Sequence, residues 1–365
     1  MKYPRVLIDL AKLKKNALTI LSWANKHNIK LAYVNKCVCG NEAIANELLP
    51  LGFSYLADSR IENLIDIKTD KEKILLRIGS IANASDVVKY SDLSLQSSVE
   101  VIEALNKEAE ILNKIHKIIL MIDLGDLREG IFYKDVNLID TCVEKVLKMH
   151  HISLAGIGTN LTCYGSIVPT KENLGELLSV KAHIESKFGV KLDIVSGGNS
   201  SSLYLVKDNN IPDGINNLRI GEAVLLGTDT AKGIKFEELY DDAFILETEL
   251  CEVFSKPSFP IGERSVNAFG EVEEYEDRGI MIRGIAAIGR QDVADDMIVP
   301  LDESVEIIGS SSDHLILKLP SDYKVGSIVR FKLKYGSLLR AFTSSYIKKE
   351  FVKWTNTKKR LHWSL

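Results

Sequence analysis

The chain predicts an α/β architecture, a (β/α)8 barrel followed by a C-terminal antiparallel β domain, on three observations. Short β-branched runs alternate with amphipathic helical patterns through the first two thirds of its 365 residues. About eight or nine such strand–helix units fit before residue 235, closer to a closed barrel than to an open doubly wound sheet. After Asp241 the helical patterns give way to strands joined by Gly, Pro, Asp and Ser turns, as expected of a separate antiparallel sheet. The predicted domains are therefore 1–235 and 236–365, with the boundary near "GIKFEELY".

The elements follow in order. "VLIDL" reads as the first strand, and Leu13, Ala17, Ile20, Leu21 and Ala24 mark one face of the helix after it. "KLAYVNK" is the second strand, and "NEAIANELLPLG" a helix that stops near Gly52. "SYLADS", "KILLRIG", "DLSLQS", "KIILMIDLG" and "SLAGIGTNL" are further strands, each with a helical pattern behind it. "LDIVSGGN" and "NLRIGEAVLLG" close the series. Beyond the boundary, "DAFILETELCEVF", "GIMIRGIAAIG", "VEIIGSSSDHLILKL" and "SIVRFKLKYGSLLRAF" read as strands with little helix, and the basic tail "KKEFVKWTNTKKR" as solvated surface.

Composition narrows the function. With 45% hydrophobic and 26% charged residues the chain is ordinary globular material. A net charge of -4 argues against a nucleic-acid partner. No apolar run has membrane-spanning length, so no membrane partner is expected. The first residues carry no signal-peptide core, and five cysteines are too few and of the wrong parity for a disulfide framework. A cytoplasmic protein with reduced thiols is the expectation. Cys37 and Cys39 lack a second pair at metal-ligand spacing, so no metal site is expected.

Three stretches carry candidate chemistry. Lys36 ends the second strand, where barrels place reactive groups, and desolvation of a lysine there favours its neutral, nucleophilic form. A plain strand-end lysine reaching solvent is the alternative. In "IVSGGNSSSLYLV", Gly197 and Gly198 let backbone approach an anion, and Asn199 and Ser200–Ser202 open a helix whose N–H groups suit a phosphate. The same residues also make a good capped turn. Arg219 interrupts the last apolar barrel strand, and a buried arginine needs a partner. Asp123, Arg128, Glu129, Asn160 and Tyr164 put more polar groups at strand ends, where Asp123 and Glu129 serve equally as loop caps or salt-bridge partners.

Lysine after strand 2, phosphate turn after strand 7, arginine on strand 8 and a β domain behind: in this combination the chain resembles the alanine racemase superfamily, the barrel class of pyridoxal 5'-phosphate (PLP) enzymes. The resemblance runs from "IDLAKLKKN", with Asn16 in the family pattern, to "YGSLL". The runs "DLGDLREGI", "GTNLTCYG", "SGGNSSSLYLV", "INNLRIGE", "AIGRQDV" and "GSSSDHLIL" are most similar to its ornithine racemase branch. The resemblance implies a PLP-dependent amino-acid racemase, a homodimer with shared active sites and a free amino acid, ornithine first, as small-molecule substrate.

Residue by residue, it implies that Lys36 forms the Schiff base with PLP. Ser200, with neighbouring Asn199, the backbone of Gly221 and Glu222, and Tyr335 bind the phosphate. Arg219 meets the pyridine nitrogen, and Asn160 supports it where alanine racemases have a histidine. Arg128 lies near the cofactor's phenolic oxygen and the substrate carboxylate. Two positions depart from the family. Gly40 replaces a phosphate-binding tyrosine, with neighbouring Asn41 as stand-in, and Arg290 occupies the place of the tyrosine that acts as second base. An arginine holds its proton, so Arg290 is expected to bind substrate together with Ser312. The second proton carrier is then Asp313 or His314, with Cys163 and Tyr164 behind. For the far ammonium of a diamine substrate, Asp292, Asp313 and Glu222 are candidates. The alternatives are a decarboxylase or aldolase on the same fold, or a non-catalytic PLP-homeostasis protein, which the β domain disfavours.

Overall fold

The computed structural model describes residues 2–267, 269–272 and 274–352. The chain divides into two compact units, Leu13–Tyr240 and Met1–Lys12 with Asp241–Leu365.

β1 (Arg5–Asp9) is the first strand. It is followed by β2 (Lys30–Val34), β3 (Tyr55–Asp58), β4 (Glu72–Leu75), β5 (Leu93–Gln96) and β6 (His116–Asp123). A two-residue β7 (Ile131–Phe132) precedes β8 (Ile152–Gly158), β9 (Ile194–Ser196) and β10 (Asn217–Ile220). The order β2-β3-β4-β5-β6-β8-β9-β10 closes on itself through β10–β2, all in parallel, giving an eight-stranded barrel. Alternate residues point inward. Ala32, Val34, Tyr55, Ala57, Ile74, Leu93, Leu95, Ile119 and Met121 fill the interior as one buried cluster. In the helix Leu10–Asn25, Asn16 is fully buried; its Nδ2 donates to the Val224 and Tyr240 carbonyls at 3.0 and 2.8 Å. A short hairpin, β11 (Thr228–Asp229) and β12 (Ile234–Lys235), ends this unit.

The reading of "VLIDL" as a barrel strand is corrected. β1 pairs with β13 (Phe244–Pro257) and with β19 (Lys348–Val352), both outside the barrel. A strand's own residues say which faces are apolar, not which distant strand it joins. Lys36 accordingly follows the first barrel strand rather than the second, whereas the glycine turn and Arg219 do lie at the seventh and eighth.

The second unit also holds β14 (Ile280–Ala286), β15 (Ile298–Pro300), β16 (Glu306–Ser310), β17 (Leu315–Lys318) and β18 (Ile328–Leu333). Their order is β15-β18-β13-β14-β17-β16, antiparallel throughout. Long β13 spans it, pairing β18 through Ile245–Glu249 and β14 beyond Leu250. "YGSLLRAF" is not strand but the helix Tyr335–Thr343. Its buried Ser337, Leu338, Ala341 and Phe342 recur at helical spacing, and Phe342 packs edge-on against Phe244 at 5.9 Å. The tail expected as solvated surface begins instead as β19, and residues 353–365 of that expectation lie outside the described residues. Among the described residues no helix is long and apolar enough to cross a membrane.

Candidate active site

The C-terminal ends of the barrel strands gather the polar residues. β2 ends at Val34, and Lys36 opens a 3-10 turn, Lys36–Val38, with its side chain exposed. The turn is pinned from below. Asn35 is fully buried, takes the Tyr33 hydroxyl on Oδ1 at 3.0 Å and donates to the Asn41 carbonyl at 3.3 Å. Cys37 is buried and burial pushes its thiol pKa up, so it packs rather than reacts. Gly40 has φ +68°, and a Cβ there would stand 2.7 Å from the Asn63 Cβ. A tyrosine cannot occupy that position without moving backbone. Asn41 caps the next helix, accepting the Ile44 N–H at 3.0 Å.

Two carboxyl groups face the Lys36 charge. Burial raises Glu222 to about 7, with Lys36 pulling the other way. Burial likewise raises Asp58, at the end of β3, to about 6, against hydrogen bonds from Arg60, Asn63 and Ser59 and the Lys36 charge. Asp58 Oδ2 is buried without a hydrogen bond. Sequence reasoning missed Asp58; its one signal was a strand-end carboxylate in "YLAD".

On the opposite side Arg219 is 3% exposed. Its Nη1 bonds the Ser196 hydroxyl, and its Nη2 reaches the Thr159 carbonyl at 2.7 Å and Asn160 Oδ1 at 2.6 Å. Burial lowers its pKa to about 10, opposed by the charge of Glu129, so it stays a cation at neutral pH. The partners that the buried arginine required are thus a serine, a carbonyl and the expected Asn160. Ser196 and Thr159 were not foreseen, because small strand-end residues carry no pattern of their own.

The glycine turn gives the third side. Ser200 Oγ receives long bonds from the N–H groups of Gly221, at 3.4 Å, and Ala223, at 3.3 Å. A convergent set of hydroxyl and backbone N–H donors is what a phosphate takes. A Cβ on Gly221 would stand 3.0 Å from both the Cβ and the carbonyl oxygen of Val34, so the close approach of β10 to β2 favours glycine there. The Asn199 side chain is committed to protein: Oδ1 accepts Ser201 N–H at 2.8 Å, and Nδ2 reaches the Leu161 carbonyl at 3.1 Å and Cys163 Sγ at 3.5 Å. Asp126 fastens the Cys163–Ile167 loop. Burial opposes its charge, but N–H groups of Tyr164, Ile167, Cys163 and Gly165 outweigh that and hold its pKa below the ordinary value.

Six of the expected residues lie in the second unit. Ser312, Asp313 and His314 are exposed in the turn between β16 and β17. Arg290 is engaged by Asp295 at 3.1 Å and Glu271 at 2.7 Å and stacks on Phe269. Asp292 is buried and accepts from the Ser344 hydroxyl at 2.6 Å. Tyr335 is the first residue of its helix. The barrel therefore brings together Lys36, Arg128, Asn160, Ser200, Arg219, Gly221 and Glu222; the departure at Gly40 follows from its backbone conformation, and the side chain of the expected Asn199 is taken up in fastening a loop.

Against known proteins, residues 8–229 match the model of the alanine racemase N-terminal domain. This chain belongs to the alanine racemase family. It is 45% identical over 354 residues to ornithine racemase of Acetoanaerobium sticklandii, covering 96% of this chain and 100% of that one. It is 36% identical to lysine racemase of Thermotoga maritima, over 96% of this chain and 99% of the other. Among solved structures, alanine racemase of the D-cycloserine producer Streptomyces lavendulae superposes with a TM-score of 0.74 at 14% identity, over 97% of this chain and 99% of that one. That last likeness establishes the fold.

Proposed function

We propose that this family member is a PLP-dependent racemase of a basic amino acid, ornithine first, cytoplasmic and homodimeric. One observation carries the reading above others: Lys36 shares the mouth of a closed barrel with a buried arginine and a phosphate-type donor turn. The identity to ornithine racemase and lysine racemase supports the choice of substrate, and five free cysteines suit a reducing compartment.

The donor set fits PLP. Lys36 Nζ would hold it covalently, Ser200 with the N–H groups of Gly221 and Glu222 would hold its phosphate, and Arg219 would face its ring nitrogen. Tyr335 would add a phosphate contact. When bound, PLP supplies a conjugated ring that spreads the charge left at Cα. Arg219 donates a hydrogen bond but keeps its proton, so charge stays near Cα and proton return there is favoured. Arg128 binds the substrate carboxylate. Lys36 removes and returns the Cα proton on one face. A carrier is needed on the other, and Asp313 or His314 of a second copy is the proposal, supported by their exposure in a turn. Ser312 and Arg290 would border the substrate there.

The test is L-ornithine incubated with PLP-loaded protein in D2O, read by NMR for Cα exchange and by chiral chromatography for D-ornithine. Lys36→Ala should lose at least about 10³-fold in rate. Asp313→Asn or His314→Ala should leave exchange confined to one enantiomer. A wild-type protein that exchanges no Cα proton, or an active Lys36→Ala, overturns the proposal.

A further inference from the structure

We propose that Glu129 is a positioning residue that holds two arginines of the site at once, Arg128 directly and Arg219 through the amide of Asn160. This rests on the racemase reading for what the arginines do, whereas the contacts themselves belong to the fold.

Glu129 grips Arg128 with both oxygens, Oε1 to Nη2 at 2.6 Å and Oε2 to Nε at 2.5 Å. Oε1 also accepts from Asn160 Nδ2, while Asn160 Oδ1 accepts from Arg219 Nη2 at 2.6 Å. The chain of contacts is thus guanidinium, amide, carboxylate, guanidinium. Asn160 has no alternative orientation in it. A guanidinium only donates and a carboxylate only accepts, so a flipped amide would face like against like at both ends.

The exposures separate this from a chance surface pair. The Arg128 side chain is 47% exposed but that of Glu129 only 13%. The anchor is packed and the arginine stands in the mouth, so the carboxylate selects one rotamer of a side chain that water would otherwise leave mobile. Sequence neighbours seldom face each other. Here the loop is bracketed by Leu127 at φ +56° and Gly130 at φ +118°. A Cβ on Gly130 would lie 2.6 Å from the Asp123 nitrogen, so this turn is fixed by close backbone contact. Arg219, for its part, bonds neutral oxygens among the described residues: Ser196, Thr159 and Asn160. The carboxylate one amide away is the anion its contact chain reaches, and its charge opposes the effect of burial on Arg219.

The experiment compares wild-type holoenzyme, Glu129→Gln and Glu129→Asp. Glu129→Gln keeps the shape and one acceptor oxygen for Arg128 Nη2 and Asn160, but it replaces the oxygen that meets Arg128 Nε by an NH2 donor and removes the charge. The expected result is a KM for the amino acid raised about tenfold or more, exceeding the fall in kcat, and a shifted visible band of bound PLP. Glu129→Asp, which keeps the charge on a shorter arm, should recover part of both. A second readout needs no activity: the Arg Nε–H NMR signal of Arg128, assigned through Arg128→Lys, should be protected from solvent exchange in cofactor-free wild type and lose protection in Glu129→Gln. Unchanged protection in Glu129→Gln overturns the proposal, as do wild-type KM and band. An inactive wild type with a protected Arg128 signal would instead refute the racemase reading and leave the relay standing. If Glu129→Gln does not fold, Glu129→Asp decides by the same two readouts.

Discussion

At Glu222 the barrel places a carboxyl group in surroundings that resist its ionisation. It ionises near 7 when folded against an ordinary 4.5. Between those values the folded chain holds a proton that the unfolded chain has released, so stability from this group is complete below about 4.5 and is lost as pH rises through 7. In the cofactor-free protein, the stability of wild type relative to Glu222→Gln should therefore fall by an amount on the order of 3 kcal/mol from pH 4.5 to 7.5. Urea unfolding at a series of pH values measures it. The comparison with the variant matters because buried His116, lowered to about 4 by burial, works oppositely: its contribution is present above 6.5 and disappears as pH falls through 4. A wild-type-minus-variant difference that does not change with pH would count against a half-buried, proton-holding Glu222. At this scale much of the site was legible, since Lys36, Ser200 and Arg219 are residue types that stand out at strand ends. Asp58 and Ser196 did not stand out, because what distinguishes them is an unpaired oxygen or a neighbour 23 residues away.

Among elements, three strands of the second unit are tied through one side chain. Glu247 on β13 lies in register opposite Arg5 on β1 and Arg330 on β18. It is 1% exposed and bonds each guanidinium Nε at 2.7 Å. Removing one partner of a buried pair leaves uncompensated charge, usually costing about 3–5 kcal/mol. Here the arginines keep some water, 18% and 43% of their side chains being exposed, which places Glu247→Ala nearer about 2–3 kcal/mol. A urea midpoint shift worth less than about 1 kcal/mol would mean the triad behaves as a surface pair. Sequence patterns located nearly every barrel strand and helix because amphipathic periodicity is local. They failed for "YGSLLRAF", where four buried residues serve a helix as well as a strand reading, and for the partners of β1, because pairing is not local.

For the whole molecule, the barrel segment is an insertion. Residues 1–12 and 241–365 make one unit, and the barrel chain runs between them. Deleting residues 2–9 would uncover one side of β13 and leave β19 without β1. Unpaired strand edges recruit other chains, so the truncated protein should self-associate in light scattering at concentrations where the full chain stays at one size. A truncated protein of unchanged size would show that β1 is dispensable to the sheet.

That strand also sets a timetable. β1 is made first, yet Arg5 waits for Glu247, 242 positions later, and for Glu350, 345 positions later. At about 5–20 residues per second a ribosome takes roughly 20–70 s to supply the last of them. The barrel, all of whose strands lie within that interval of chain, can be finished while the leading strand is still idle. A chain released after β10 but before β13 carries a complete set of barrel strands and a leading strand with no place to go.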